Sequence, residues 1–196
     1  GITISGDKRF LGFVETDTEN EKVLTPFLRS LIERGLDPSQ GLLVVLDGGK
    51  GLRAAVKKAF RNRALIQRCQ WHKRENVVGY LPKSEQTAWR QRLQRAYNRP
   101  TNDEATSALN QLHAELEERN QSAASSLAEG LDETLTLHRL GVYGLLGRSL
   151  KTTNCIESVN ALIEERCAKV DRWQTSNQRQ RWLATALLEL EPRLRK

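Results

Sequence analysis

Residues 42–56, LLVVLDGGKGLRAAV, decide how this chain folds. Leu42 to Leu46 is short, uninterrupted and aliphatic, the signature of a buried strand. Gly48, Gly49 and Gly51 then make a flexible turn, and a helical pattern starts near Leu52. Asp47 therefore closes a buried strand at the carboxyl edge of an α/β sheet, where ligands bind. At this point Asp47 has three open roles: metal ligand, part of a nucleotide site, or turn residue.

Working outward, residues 2–5 and 9–15 alternate well enough for two strands around the Ser5-Gly6-Asp7-Lys8 turn. A helix follows, with Val23, Phe27, Leu28, Leu31 and Ile32 as its apolar stripe and Gly35 as its stop. Proline fits the first turn of a helix, so Pro26 predicts a start later than Glu21. The 42–46 strand, a helix over 51–60 and a short apolar strand over 64–66 complete a mixed α/β sheet. From Ser84 to about Leu140 the pattern is helical only. Its stripes are Trp89, Leu93 and Tyr97, then Ala105, Leu109, Leu112 and Leu116, then Leu127, Leu131 and Leu135. Thr101-x-x-Glu104 has the form of a capping box. Helices over 154–170 and 175–190, the latter opened by Thr175-x-x-Gln178, end the chain. The expected organisation is an α/β core over 1–83, a helical insertion over 84–147, and a return to the core over 148–196.

The 196 residues carry a net charge of +7 and a mean hydropathy of −0.57. No apolar run approaches the ~20 residues that cross a bilayer. Cys69, Cys155 and Cys167 are odd in number and widely spaced, which argues against a disulfide framework and for a reducing, cytoplasmic compartment. Charge is segregated. Arg53, Lys57, Lys58, Arg61, Arg63, Arg68, Lys73 and Arg74 fall in a stretch without acids. Residues 103–133 hold Asp103, Glu104, Glu115, Glu117, Glu118, Glu129, Asp132 and Glu133 against Arg119 alone. Clustered positive charge beside Asp47 suits phosphate, with a solvated helix face as the competing reading.

Gly49-Lys50-Gly51-Leu52-Arg53-Ala54 satisfies the dinucleotide pattern G-x-G-x-x-[GA], but that site wants an acid ~20 residues on. Residues 64–72, ALIQRCQWH, contain none. A P-loop fails as well, because Val44 replaces its first glycine and Gly51 follows Lys50. Cys69-x-x-His72 is half of a zinc set, and Cys155, Cys167, His113 and His138 form no second tight pair. A buried cysteine with a hydrogen-bonded histidine is the structural alternative. Asn154-x-x-Glu157 is itself a capping box, the competing role for Glu157. On a helical wheel Glu157 lies away from the Ile156, Val159, Ile163, Cys167 and Val170 face.

As a set, VVLDGGKGLRAAVKKAF, QRCQWHKRENVVGYLP and TTNCIESVN resemble the bacterial mutator-type insertion-sequence transposases. GDKRFLGFVETDTENEK and the RWLATALLELEPRLRK end extend the resemblance over nearly the whole chain. It implies a DDE enzyme with an RNase H-like (retroviral-integrase-like) mixed-sheet core interrupted by an all-helical insertion. By that resemblance Asp47 matches the second acid of the triad and Glu157 the third, both as metal ligands. Cys69 and His72 match the Cys-x-x-His signature, with His72 organising the catalytic site. The first acid is expected on a strand upstream of Gly1, since Asp7 sits in a turn and Asp17 follows a strand. The fragment is then expected to be inactive by itself. A basic residue common two turns after the third acid is Glu164 here, and Arg166 lies near the opposite face. Phosphodiester cleavage and strand transfer suit two Mg²⁺ ions, with Mn²⁺ as a substitute, held by sparse carboxylates. The glycine turn would let DNA approach closely. Arg53, Lys57, Lys58, Arg61, Lys73 and Arg74 are the expected DNA contacts. The expected partners are element ends, target DNA and further copies of the chain, with no membrane. The readings to be separated from this one are a non-catalytic DNA-binding remnant and an RNase H-like nuclease without strand transfer.

Overall fold

The computed structural model describes residues 1–16, 18, 20–168, 170, 172 and 175–195. Helix α1 spans Glu21–Glu33 and strand β1 Leu42–Leu46; α2 spans Lys50–Phe60 and strand β2 Ala64–Arg68. Helix α3 (Gln70–Val78) leads to α4 (Lys83–Tyr97), α5 (Asn102–Arg119) and α6 (Gln121–Ala128). Two single turns, α7 (Leu131–Thr134) and α8 (Thr136–Arg139), precede α9 (Tyr143–Leu150), α10 (Asn154–Cys167) and α11 (Ser176–Leu190).

The strands pair in parallel, with Leu42 opposite Ala64 and Leu46 opposite Arg68. Parallel strands need a crossover, and α2 supplies it. Leu46, Val56, Phe60 and Ile66 form the heart of the core, with Leu28 and Ile32 of α1 packed against them. Among the described residues no other strand joins, so the sheet is two-stranded and parallel, and the expected mixed sheet is not seen. Segments 2–5 and 9–15 are not strands. They hold one isolated antiparallel bridge, Ile2 to Lys8. Ile2 and Ile4 are exposed, and a hairpin that packs its side chains on nothing has little to stabilise it. The Phe10 N–H instead donates to Glu191, and Glu15 pairs with Arg179.

Helix α1 starts at Glu21 despite Pro26, because the Asn20 side chain accepts from the Val23 N–H and nucleates the turn earlier. Pro26 costs the Lys22 carbonyl its intrahelical donor, but both residues are exposed, so water can replace it. Helix α10 ends at Cys167, short of the expected 170.

A second core lies in the helical segment. Trp89, Leu93 and Tyr97 of α4 meet Ala105, Leu109, Leu112 and Leu116 of α5, and Leu127 and Leu135 join them. Val77 and Val78 of α3 enter the same cluster. The caps expected at Thr101 and Thr175 are formed, accepting from the Glu104 and Gln178 N–H groups.

A buried polar seam joins the two cores. The Thr136 hydroxyl donates to the Ile66 carbonyl at 2.6 Å. The Gln67 amide donates to the Thr134 carbonyl while its oxygen accepts from the Leu137 N–H. The Thr136 bond occupies one main-chain carbonyl of β2, and the Gln67 bonds tie the strand to α7 and α8.

Candidate functional site

Because β1 and β2 are parallel, their carboxyl ends share one edge, which places Asp47 beside Cys69. The Cys69 N–H donates to the Leu46 carbonyl at 2.6 Å, extending the ladder by one bond. Asp47 is exposed, and its Oδ1 accepts from the Gly49 N–H at 3.0 Å in an Asx turn. No bond forms to its other oxygen among the described residues, so Asp47 is both a turn residue and an outward-facing carboxylate.

Cys69 caps α3 and is fully buried, and His72 sits in the first turn above it with Nδ1 3.2 Å from Sγ. The Gln70 N–H donates to the Lys151 carbonyl at 2.9 Å, drawing the start of α10 to this corner. Buried Thr153 is the hub. Its hydroxyl donates to Glu157 Oε1 at 2.6 Å and lies 3.3 Å from His72 Nδ1 and 3.5 Å from Cys69 Sγ. Glu157 Oε1 is 3.8 Å from His72 Nδ1. A continuous path thus runs from the end of β1 through Cys69, His72 and Thr153 to Glu157. The sequence reading missed Thr153. Its signal is the four-residue spacing to Glu157, which puts hydroxyl and carboxylate on one helix face.

The capping role weighed for Asn154 and Glu157 is not the one formed. Asn154 is the first helical residue and Thr153 the cap position, so the Glu157 carboxylate is held by the Thr153 hydroxyl. The other zinc candidates stay apart. His138 Nε2 lies 3.1 Å from the Tyr97 carbonyl and 3.0 Å from the Arg99 carbonyl, with its ring stacked on Tyr143. His113 faces Glu117. Among the described residues no three His, Cys, Asp or Glu side chains cluster as a metal group. Asp17, set aside as the first acid, lies outside the described residues.

The basic run is largely turned toward the acidic segment. Arg53 Nε lies 2.8 Å from both Glu133 carboxylate oxygens, and Lys57 is 3.5 Å from Glu133. Burial opposes ionisation of Glu133, yet Arg53 and Lys57 hold its carboxyl below the usual range. Lys58 pairs with Glu21, and Arg74 bonds Glu75 and Gln94. Arg61 is exposed, with no ion-pair partner among the described residues.

Lys73 corrects the expected DNA contacts. It is fully buried, and its ammonium donates to the Ser126 and Glu129 carbonyls at 2.6 and 2.5 Å, capping the carboxyl end of α6. Burial, with Arg68 nearby, pulls its pKa down to about 8. Its side chain has no exposed surface in this fold.

The glycine turn also serves an internal group. A Cβ on Gly48, whose φ is +117°, would meet Arg68 Nε at 2.7 Å, and one on Gly130 would meet Arg68 Nη1 at 2.6 Å. Two glycines thus admit the Arg68 guanidinium beneath the Asp47 loop, where it donates to the Glu129 carbonyl. Arg166 grips Glu189 of α11, so its guanidinium is engaged in pairing the last two helices.

A family described as "Transposase, Mutator family" matches residues 1–193. The transposase for insertion sequence element IS256 in transposon Tn4001 from Staphylococcus aureus is 30% identical over 97% of this chain and 48% of its own length. The IST2 transposase of Acidithiobacillus ferrooxidans is 28% identical over 86% of this chain and 56% of its own. The IS6120 transposase of Mycolicibacterium smegmatis is 27% identical over 85% and 50%. The chain spans about half the length of these curated relatives. No helix among the described residues is long and apolar enough to cross a membrane. The chain belongs to the Mutator family of transposases.

Proposed function

We propose that this chain is the catalytic part of a DDE transposase that cuts and joins DNA at insertion-element ends. The observation that carries the proposal is the path from the end of β1 through Cys69, His72 and Thr153 to Glu157. The path links the carboxyl end of β1, where Asp47 follows Leu46, to the helix-borne Glu157.

The donor set fits a hard divalent cation. Asp47 and Glu157 each commit one carboxylate oxygen internally, to the Gly49 N–H and the Thr153 hydroxyl. The other oxygen of each makes no hydrogen bond among the described residues, and both residues are exposed, which leaves these oxygens open to Mg²⁺ or Mn²⁺. When bound, the metal would help activate a water or 3′-hydroxyl and stabilise the leaving oxygen. The chain's own residues set the geometry. The Gly49 N–H fixes Asp47, Thr153 fixes Glu157, and buried Cys69 holds His72 beside Glu157.

In this reading the parallel pair β1–β2 is one part of an RNase H-like sheet, and the open edge of β1 is where another strand would add. Residues 1–83 and 148–196 form the core and 84–147 an insertion tied to it by the polar seam. Arg53, Lys57, Lys58, Arg61 and Arg74 would face DNA, and the protein would act as a homo-oligomer on element ends and target.

The test uses the complete transposase. Asp47→Asn and Glu157→Gln should each lower transposition by more than the roughly 10–100-fold that loss of an outer partner costs. Folding should be unchanged by circular dichroism. Full transposition by either variant overturns the assignment. Cutting without joining by the parent protein would favour the nuclease.

A further inference from the structure

With Lys73 buried and Arg53 and Lys57 drawn to Glu133, the basic run presents less charge to DNA than its composition suggests. The groove between α3 and α4 presents more. A cavity of about 540 Å³ there is lined by Arg74, Thr87, Arg90, Gln91, Gln94 and Arg95. We infer that this groove is a seat for the phosphates of a DNA backbone, separate from the Asp47–Glu157 corner; the inference rests on the DNA-joining reading above.

The lining contains three guanidiniums, two carboxamides and a hydroxyl, and no acid. Glu75 lies beneath it and takes Arg74 Nε at 3.0 Å and Arg90 Nε at 2.8 Å. One carboxylate therefore orients two guanidiniums and leaves the groove positive. Arg74 Nη1 donates to Gln94 at 2.7 Å, and Arg90 Nη2 to Gln86 at 3.1 Å. Arg74 Nη2 and Arg90 Nη1 stay available. Arg95 is exposed and makes no hydrogen bond or ion pair among the described residues, so its whole fork is free. Thr87, Gln91 and Arg95 follow at four-residue intervals and form one ridge along α4. Planar donors in a row suit phosphate oxygens, and such contacts position a duplex without reading its bases. The groove connects to the catalytic corner through α3, where Arg74 lies two residues beyond His72.

The experiment is fluorescence anisotropy of a labelled 20-base-pair duplex with the 196-residue chain across a salt series. Arg90→Gln with Arg95→Gln should weaken binding roughly tenfold. It should also reduce the slope of log affinity against log salt by about 2. Arg95→Gln alone, which removes no internal contact, should reduce the slope by about 1. Arg92→Gln is the control: the same charge is lost from the same helix, but Arg92 faces Glu115 and lies outside the groove. It should leave the slope unchanged. Equal effects of the control and Arg95→Gln, or no DNA binding by the parent chain, overturn the proposal. Displacement of the duplex by millimolar inorganic phosphate at matched ionic strength would assign the groove to free phosphate and also overturn it. Only binding is measured, so the strand-transfer reading, judged by transposition, fails or stands separately.

Discussion

Replacing Lys73 by Met tests the claim that a buried ammonium pins α3 to α6. The free folded chain places this amine among carbonyls with no exposed surface, and its pKa falls from 10.5 to about 8. In the unfolded chain the same lysine titrates near 10.5. Between these values the unfolded state binds the extra proton and the folded state does not, so stability rises with pH across that window. Below pH 8 the full cost of keeping the buried amine charged is present. At ~1.4 kcal/mol per pH unit, that fall in pKa sets the cost at roughly 3–4 kcal/mol, of which about 2–3 kcal/mol is relieved between pH 7 and pH 10. Methionine keeps the buried stem, removes the charging cost and leaves the Ser126 and Glu129 carbonyls short of a donor at roughly 1–3 kcal/mol each. The two effects oppose each other near neutrality, so the difference at one pH says little. The difference between pH values isolates the titration. Urea unfolding of both proteins from pH 7 to pH 10 should show the parent gaining about 2–3 kcal/mol relative to Lys73→Met. Other lysines and tyrosines titrate in both proteins and cancel. A gap that stays constant with pH, or moves in the variant's favour, refutes the reasoning.

Two further outcomes follow from the packing and from the site. Leu109→Ala, at a fully buried position of the helical core, should cost about 2–5 kcal/mol in urea unfolding. In the complete transposase, Thr153→Val should cut transposition by about 10–100-fold with circular dichroism unchanged, because Glu157 loses the hydroxyl that aims it. Thr153→Ser should restore most of the activity, and equal loss in both variants would assign Thr153 a packing role instead.

Much of this molecule is legible in its sequence because the interactions concerned are local. Leu42–Leu46 declares itself a strand by aliphatic continuity, and the α4 and α5 stripes declare their buried faces by helical period. The Thr101 and Thr175 caps act over three residues and are equally plain. The 2–5 and 9–15 segments have the alternation of strands, but strand pairing depends on neighbours that alternation cannot supply. Pro26 misleads for a similar reason, since the Asn20 cap and an exposed carbonyl make it tolerable inside α1.

The sequence by itself determined the strand–Asp47–glycine turn, the helical stripes, the Cys69–His72 pair and the two oppositely charged runs. Only the tertiary structure decided that those runs meet. Arg53, Lys57 and Lys73 engage Glu133 and Glu129 from 56 to 80 positions away, and Thr153 joins Cys69 across 84. Composition records charge but not its partner. The fate of each basic residue, whether buried cap, internal ion pair or open groove, depends on desolvation and distance, which exist only once the chain has folded.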